Sequence, residues 1–504
     1  MTIAELYESR KDDPRLNTSY PLHPEDWKQY RVDGSLPFDQ ERRLSFYLHI
    51  PFCRQLCSFC EYTRMLVPDE AQQETYLRVV ANDIRHFKEQ YHDFTLLGCD
   101  IGGGTPTSLS EKNFSLLMEV YGDALEGLNR SDEHEPSIEA TFDTLSEMKL
   151  AGMADAGFKR LSLGVQSACD SIVQRHYRAG NDERQMGEWI AMAWKKGIKK
   201  INLDFMYGLQ GQNEATIRQD LELIKRLVPQ QVTLYELRTN MLATPIPFSK
   251  EELYAQYAQY HDGLVNLGYK GRFGQNTFSL DADDYGVSSY LRERMINGTS
   301  YKGFGLSAQS MSRAGVSYNV GKLSKNPMEA LNDSGYREEY TYLLPSKELA
   351  AKYMAISAYN GSFSVNRLLE LGIDKDFLDD SLGFCLSQGL LSKGDNDRIV
   401  VTKTGFAHYG AVFSLFFEES QKSGQETESG TETTQKTTQK TTQKTTEKIL
   451  ECIIQNPFIS RKELSELCGI TPDGIKWQLK NMQAHGLIIR IGPDKGGHWE
   501  VIEK

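Results

Sequence analysis

The run Tyr47-Leu-His-Ile-Pro-Phe-Cys-Arg-Gln-Leu-Cys-Ser-Phe-Cys60 places three cysteines, Cys53, Cys57 and Cys60, in one short loop, and no fourth cysteine follows within its reach. An iron–sulfur cube takes four thiolates, one per iron, so three donors leave one iron open to an external ligand. An open iron means chemistry rather than electron storage. The competing reading is a zinc site with His49 as fourth ligand. Zinc is usually closed by paired hooks from two segments, and the sequence offers no second hook.

Outward from this loop, short apolar runs alternate with amphipathic stretches from Leu44 to about Val265. Ser45–Ile50, Leu96–Ile101, Ser137–Ala140, Arg160–Val165, Lys200–Phe205 and Val232–Leu237 read as strands; Glu74–Glu89 and Asn213–Leu227 read as helices. Such alternation predicts a parallel sheet. About six units suit a partial, TIM-like (β/α)6 barrel of the α/β class, with its site at the carboxyl ends of the strands, where the cysteine loop falls. The expected organisation is an N-terminal extension (1–43), the barrel (44–267), a mainly helical cap (268–418), a linker (419–446) and a small C-terminal domain (447–504).

In the cap, Ser346–Asn360, Ser364–Leu371 and Asp376–Gln388 read as helices, and Leu390–Thr402 as a hairpin turning at Gly394-Asp-Asn396. Residues 419–446 repeat Thr-Thr-Gln-Lys and can bury no core, so they read as a flexible tether. Beyond it, Glu447–Gln455, a helix N-capped by Ser460, a third running to Ala484, and strands Leu487–Ile491 and His498–Ile502 together resemble a winged helix. The third helix carries Lys476, Gln478, Lys480, Asn481 and Gln483, types suited to phosphates and base edges. Acidic and basic residues nearly cancel in this segment, so DNA and a protein partner both stand as readings.

The 504-residue chain carries a net charge of −12, which argues against a protein devoted wholly to nucleic acid. No stretch approaches the roughly 20 apolar residues that span a bilayer, and the first residues are polar, unlike a signal peptide. Cys99, Cys169, Cys385, Cys452 and Cys468 are scattered and read as reduced thiols. The expected setting is the cytoplasm, without membrane contact.

Further motifs follow the strands. Ile101-Gly-Gly-Gly-Thr-Pro-Thr107 lets the backbone approach a ligand closely. Glu139, Gln166 and Asp204 lie at or near the ends of successive strand-like runs, with Arg178 just beyond. Singly each reads as a solvated polar group; together, at a barrel mouth, they read as a site.

The cysteine spacing, with Phe59 before the last thiol, resembles the radical S-adenosylmethionine (SAM) superfamily. Tyr47-x-His-Ile-Pro-Phe-Cys53, Gly102-Gly-Gly-Thr-Pro106, Gly164-Val-Gln-Ser167 and Asp204-x-x-Tyr-Gly-Leu209 resemble, within it, the oxygen-independent coproporphyrinogen III dehydrogenase group, which also includes heme chaperones and radical methyltransferases. Pro14-Arg-Leu-Asn-Thr-Ser-Tyr-Pro21 is similar to that dehydrogenase's leading segment. The resemblance implies a [4Fe-4S] cluster on Cys53, Cys57 and Cys60, and SAM cleaved reductively to a 5′-deoxyadenosyl radical. It places Tyr47, Phe59, Gly103 and Glu139 around SAM, with Tyr47 and Glu139 as the catalytic candidates. It gives Gly104, Thr105, Gln166, Arg178 and Asp204 to a second SAM or to a substrate in its place. It also implies a small-molecule substrate and an electron donor such as flavodoxin or ferredoxin.

The chain departs from that pattern in places. Gln309, in Gly303-Phe-Gly-Leu-Ser-Ala-Gln-Ser310, stands where the dehydrogenase has an aliphatic residue. The His-Asn-x-x-Tyr-Trp motif of the heme chaperones is replaced by Ser288-Ser-Tyr-Leu-Arg292 and Asn297-Gly-Thr-Ser-Tyr301. Three readings follow: a dehydrogenase-type enzyme acting on a tetrapyrrole or similar substrate, a two-SAM methyltransferase, or a heme- or SAM-binding sensor with a DNA-binding tail.

Overall fold

The computed structural model describes residues 2–11, 20–21, 24–180, 182–237, 248–321 and 338–417, and beyond them 449–450, 452–454, 456–468, 475–476, 479, 482, 488–491 and 498–501. Most of the 14–21 segment and the 419–446 tether fall outside the described residues. The chain divides into two units, Met1–Glu419 and Ser420–Lys504.

The first unit is built on one 13-stranded sheet. Its parallel heart runs β1 (Arg43–Ile50), β2 (Thr95–Gly103), β3 (Ser137–Ala140), β4 (Arg160–Gln166), β5 (Lys200–Tyr207) and β6 (Gln231–Glu236), each beside the next. The six predicted strands are all present, one or two residues from their expected ends. Between them run α1 (Glu70–Gln90), α2 (Glu111–Leu125), α3 (Glu147–Asp155), α4 (Glu183–Lys196) and α5 (Glu214–Leu227), followed by α6 (Lys250–Asn266). Local chemistry marks the helix ends. The Asp69 carboxylate accepts from the Gln72 N–H at 2.9 Å to open α1, Asn213 makes a capping box on α5, and Gly197 closes α4 at φ 96°.

Strand residues of one parity, among them Phe46, Leu48, Ile101, Leu161, Leu163, Leu203 and Phe205, are fully buried in the main core together with Leu77 and Val80 of α1 and Phe114 and Leu117 of α2. Each such side chain contributes about 1.5–3 kcal/mol by leaving water. The opposite parity is polar. Register pairs Tyr47 with Asp100, Asp100 with Ser137, Glu139 with Ser162, Ser162 with Asn202, and Gly164 with Asp204, so these residues share the other face.

Residues after Gly268 extend the same sheet at both edges. β7 (Thr277–Ser279) adds antiparallel to β6. β8 (Tyr301–Phe304) adds parallel to β1, and β9 (Gln309–Ser312), β10 (Gly315–Asn319) and β11 (Glu338–Leu343) continue antiparallel from it, with Arg31–Val32 at the margin. Among the described residues the two edges do not pair with each other, so the sheet is open there. The helical cap follows as α7 (Ser346–Ser357), α8 (Val365–Glu370) and α9 (Lys375–Ser387). A three-stranded sheet of β12 (Ser362–Ser364), β13 (Leu391–Lys393) and β14 (Arg398–Val401) contains the expected hairpin.

In the second unit, α10 (Arg461–Cys468) begins with a capping box between Ser460 and Glu463, as the position of Ser460 predicts. β15 (Ile488–Ile491) and β16 (His498–Val501) pair antiparallel. Ile449, Ile453, Leu464, Ile475, Leu479, Met482 and Trp499 form a separate core. Of the polar residues expected on the third helix, Gln478, Lys480, Asn481 and Gln483 lie outside the described residues; Lys476 is exposed.

Candidate functional site

The polar sheet face ends at the cysteine loop. Phe52–Cys53 pairs with Met65–Leu66 to close the base of the loop. The Arg64 guanidinium donates to the Cys57 carbonyl at 2.6 Å, and the segment after Arg175 pins the tip: the Ser58 N–H donates to the His176 carbonyl at 3.1 Å and the Ala179 N–H to Gln55 Oε1 at 2.9 Å. Phe59 lies 5.7 Å from the His176 ring and packs against the Ile172, Met206, Leu209 and Leu237 cluster. The thiols are reduced, and burial pushes the Cys53 thiol up to about 11 and raises Cys60. A metal bound through Cys53 and Cys60 must therefore displace their protons.

Among the described residues no three His, Cys, Asp or Glu side chains converge enough to share one ion. His49 is also engaged elsewhere. Its Nε2 lies 2.9 Å from the Thr63 carbonyl oxygen, and its Nδ1 abuts Gly103.

The glycine turn after β2 is stitched to the loop. The Gly104 N–H donates to the Ile50 carbonyl at 2.8 Å and the Thr105 N–H to the Phe52 carbonyl at 2.7 Å. The Thr105 hydroxyl reaches Cys53 Sγ at 3.7 Å. Gly103 adopts φ 111°, and a Cβ there would stand 2.2 Å from His49 Nδ1; one on Gly102 would stand 2.5 Å from the Glu139 carboxyl carbon. Both positions need glycine. The Gly103 N–H donates to Glu139 Oε2 at 3.0 Å, joining thiol loop, backbone turn and carboxylate into one constellation.

Glu139 faces open space at the carboxyl end of β3, while the surrounding protein and the Asp204 charge push its carboxyl up to about 7. Burial raises Asp204 as well, although Ser162 Oγ at 3.0 Å and Asn202 Nδ2 at 2.8 Å donate to it. Below them burial pushes Asp100 up to about 7. The Arg160 charge lowers all three, yet its guanidinium donates to Gln231 and Ser137 rather than to a carboxylate. One cation, Arg160, thus stands among three acids whose carboxyls are all raised. Gln166 ends β4 at φ 71° and, with Arg178, borders Gly164: Arg178 donates to the Gly164 carbonyl at 2.6 Å and approaches Cys57 Sγ at 3.9 Å. Cys53, Cys57, Gly103, Thr105, Glu139 and Arg178 are thus linked by direct contacts at this end of the sheet.

The structure adds groups that the motifs did not reveal. Tyr290 stacks on Tyr47 with centroids 5.5 Å apart. Arg294, in the π-helix Arg292–Asn297, donates to the Tyr290 hydroxyl at 3.3 Å and lies 4.8 Å from the Tyr301 ring centroid. Its Nε is buried without a hydrogen-bond partner, the surrounding tyrosines hold its charge, and no carboxylate pairs with it among the described residues. Their only sequence signal was position, between Gly268 and the later glycine turn, where no periodic pattern fixed a face.

Residues 47–224 match the radical SAM superfamily, and residues 442–489 match a winged helix-turn-helix DNA-binding family. The chain is 31% identical over 193 residues to the heme chaperone HemW of Bacillus subtilis, covering 38% of this chain and 50% of that one. It is 27% identical over 328 residues to the oxygen-independent coproporphyrinogen III oxidase of Salmonella typhimurium, covering 61% of this chain and 70% of that one. The match to the chaperone thus spans half of that protein's length. The solved coproporphyrinogen III oxidase (HemN) of Escherichia coli, a radical SAM enzyme, shares the fold at TM-score 0.62 and 22% identity, over 75% of this chain and 90% of that one. Residues 47–224 therefore carry a radical SAM domain and residues 442–489 a winged-helix domain, and the chain is similar to proteins of the HemN and HemW type.

Proposed function

We propose that Cys53, Cys57 and Cys60 hold a [4Fe-4S] cluster with SAM beside it, and that the chain oxidises or otherwise modifies a small conjugated substrate such as a tetrapyrrole. The observation carrying this reading is the Gly103 to Glu139 hydrogen bond at the edge of the thiol loop. When bound, cluster and SAM supply a 5′-deoxyadenosyl radical that removes a hydrogen atom from substrate. The chain's own task is orientation. Glu139 and the carbonyls of the glycine turn receive the ammonium, Tyr47 and Tyr290 shield the site from water, and Asp204 and Gln166 are left for a substrate or a second SAM. Arg294 faces the substrate with a charge that an acidic group would satisfy. A reduced flavodoxin or ferredoxin supplies the electron.

The test is anoxic reconstitution with iron, sulfide, SAM and reductant, followed by quantifying 5′-deoxyadenosine and S-adenosylhomocysteine with and without candidate porphyrinogens. Substrate-stimulated deoxyadenosine alone supports the dehydrogenase reading. Stoichiometric S-adenosylhomocysteine supports a two-SAM methyltransferase, a reading favoured by the polar groups of Gln166, Arg178 and Asp204 remaining beyond those needed for one SAM. No product with any candidate, together with a defined DNA site for residues 447–504, supports the sensor.

A further inference from the structure

We propose that the cleft between the barrel and the β12–β14 sheet is a second ligand site, separate from the SAM cavity, that binds a phosphate-bearing small molecule through Arg272 and Arg398. The cleft encloses about 560 Å³, within the usual range of about 300–1,000 Å³ for small-molecule sites. Two lining residues, Arg272 and Arg398, both donate to the fully buried Ser362. Its hydroxyl oxygen faces four N–H donors: Asn360 Nδ2 at 2.8 Å, Arg398 Nη2 at 2.9 Å, Arg398 Nε at 3.2 Å and Arg272 Nη2 at 3.2 Å. A hydroxyl oxygen has two lone pairs, so donors outnumber acceptors at this point.

Two guanidinium groups drawn to one oxygen repel each other, and burial together with the Arg398 charge holds Arg272 below its ordinary range. Neither forms an ion pair among the described residues. A third cation, Arg367, lines the same cleft with its Nε buried and without a hydrogen-bond partner.

The carboxylates nearby are turned to other work. Asp397 accepts from Ser364 Oγ at 2.6 Å and the Asn366 N–H at 3.1 Å at the start of α8; Glu370 pairs with Arg367 Nη1 at 3.0 Å. Asp395, exposed at the hairpin tip, acts on Arg272 through space without pairing to it. What this cluster lacks is an acceptor with several oxygens, and the planar fork of arginine matches a phosphoryl group. The π-helix Arg292–Asn297 places Ile296 and Asn297 in this cleft and Arg294 against the tyrosines of the SAM cavity, so one turn borders both sites. Single-turn π segments frequently mark functional positions.

The experiment is calorimetric titration of the full chain, as purified, with inorganic pyrophosphate at constant ionic strength. It needs neither cluster nor SAM, so its outcome is independent of the proposed reaction. Saturable one-site binding is expected, weakened about tenfold by Arg272→Gln and less by Arg272→Lys, with thermal midpoints unchanged. The Arg272 side chain makes one hydrogen bond, to Ser362, so its variants should fold; Arg398 also donates to the Ile296 carbonyl and is the poorer probe. Absence of saturable heat at millimolar pyrophosphate, binding untouched by Arg272→Gln, or equal affinity for sulfate would each overturn the assignment.

Discussion

The two sides of the candidate site were built by different means. One is acidic, formed by Asp100, Glu139 and Asp204 on neighbouring parallel strands with Arg160 beneath them. The other is aromatic and cationic, formed by Tyr290, Arg294 and Tyr301 from the segment that follows Gly268. Strand alternation alone put the acids on one face, whereas the cation reached its place through a π-helix and a strand that returns to lie beside β1. The contrast separates two tasks. The acid wall and thiol loop suit a cationic cofactor, and the tyrosine and arginine wall suits what that cofactor acts on.

The largest effect should come from the loop itself. Cys57→Ala is expected to abolish both iron retention and deoxyadenosine formation, measured by iron content and product assay; full iron content would remove the cluster from this loop.

Next, Glu139→Gln should weaken SAM binding about tenfold to a hundredfold, because it removes a charged partner of the ammonium. The pH dependence tests the same wall. Glu139 is raised to about 7, so below that pH it is protonated when free and must ionise to hold a cation. SAM affinity should therefore fall about tenfold per pH unit below 7 and level off above it. The linked stability runs the other way: without ligand, Glu139 favours the folded state below its unfolded pKa and loses that contribution as pH rises through 7. A profile that stays equally steep in Glu139→Gln would assign the proton to another group.

Arg294→Gln sharpens the contrast between walls. It should raise the KM for an acidic substrate about tenfold while SAM affinity stays within twofold, both read by steady-state and equilibrium binding measurements. An equal loss of both would mean that Arg294 serves the cofactor.

The smallest effect lies in the other unit. Ser460→Ala removes the hydroxyl that accepts from the Glu463 N–H and should cost about 1 kcal/mol, seen as a lower melting transition of residues 420–504 with turnover intact.

Much of this architecture was legible in the residues. The polar and apolar alternation of Arg160-Leu-Ser-Leu-Gly-Val-Gln166 and Lys200-Ile-Asn-Leu-Asp-Phe205 fixes both the strand and the face that each side chain takes. The expectation that Gly103 and Glu139 lie together beside the thiol loop came from the motifs that follow those strands, and the structure joins the two by a hydrogen bond. Residues 268–345 were not, because the strands β7 to β11 are three to six residues long and pair with distant segments. Arg160 and Asp100 were overlooked as part of the electrostatic wall for a related reason: nothing local marks a charged residue whose partners lie on other strands.

By itself, then, the amino-acid order determined the parallel half of the sheet, the deficit of thiols in the loop and the helix caps, since each depends on neighbours a few positions away. Only the tertiary structure decided that three acids would lie near one guanidinium, that Arg294 would stand beside Tyr290 without a carboxylate partner among the described residues, and that Arg272 and Arg398 would meet at Ser362. Those outcomes depend on charges from distant segments being brought within a few ångströms, where low polarity magnifies each interaction beyond anything sequence spacing encodes.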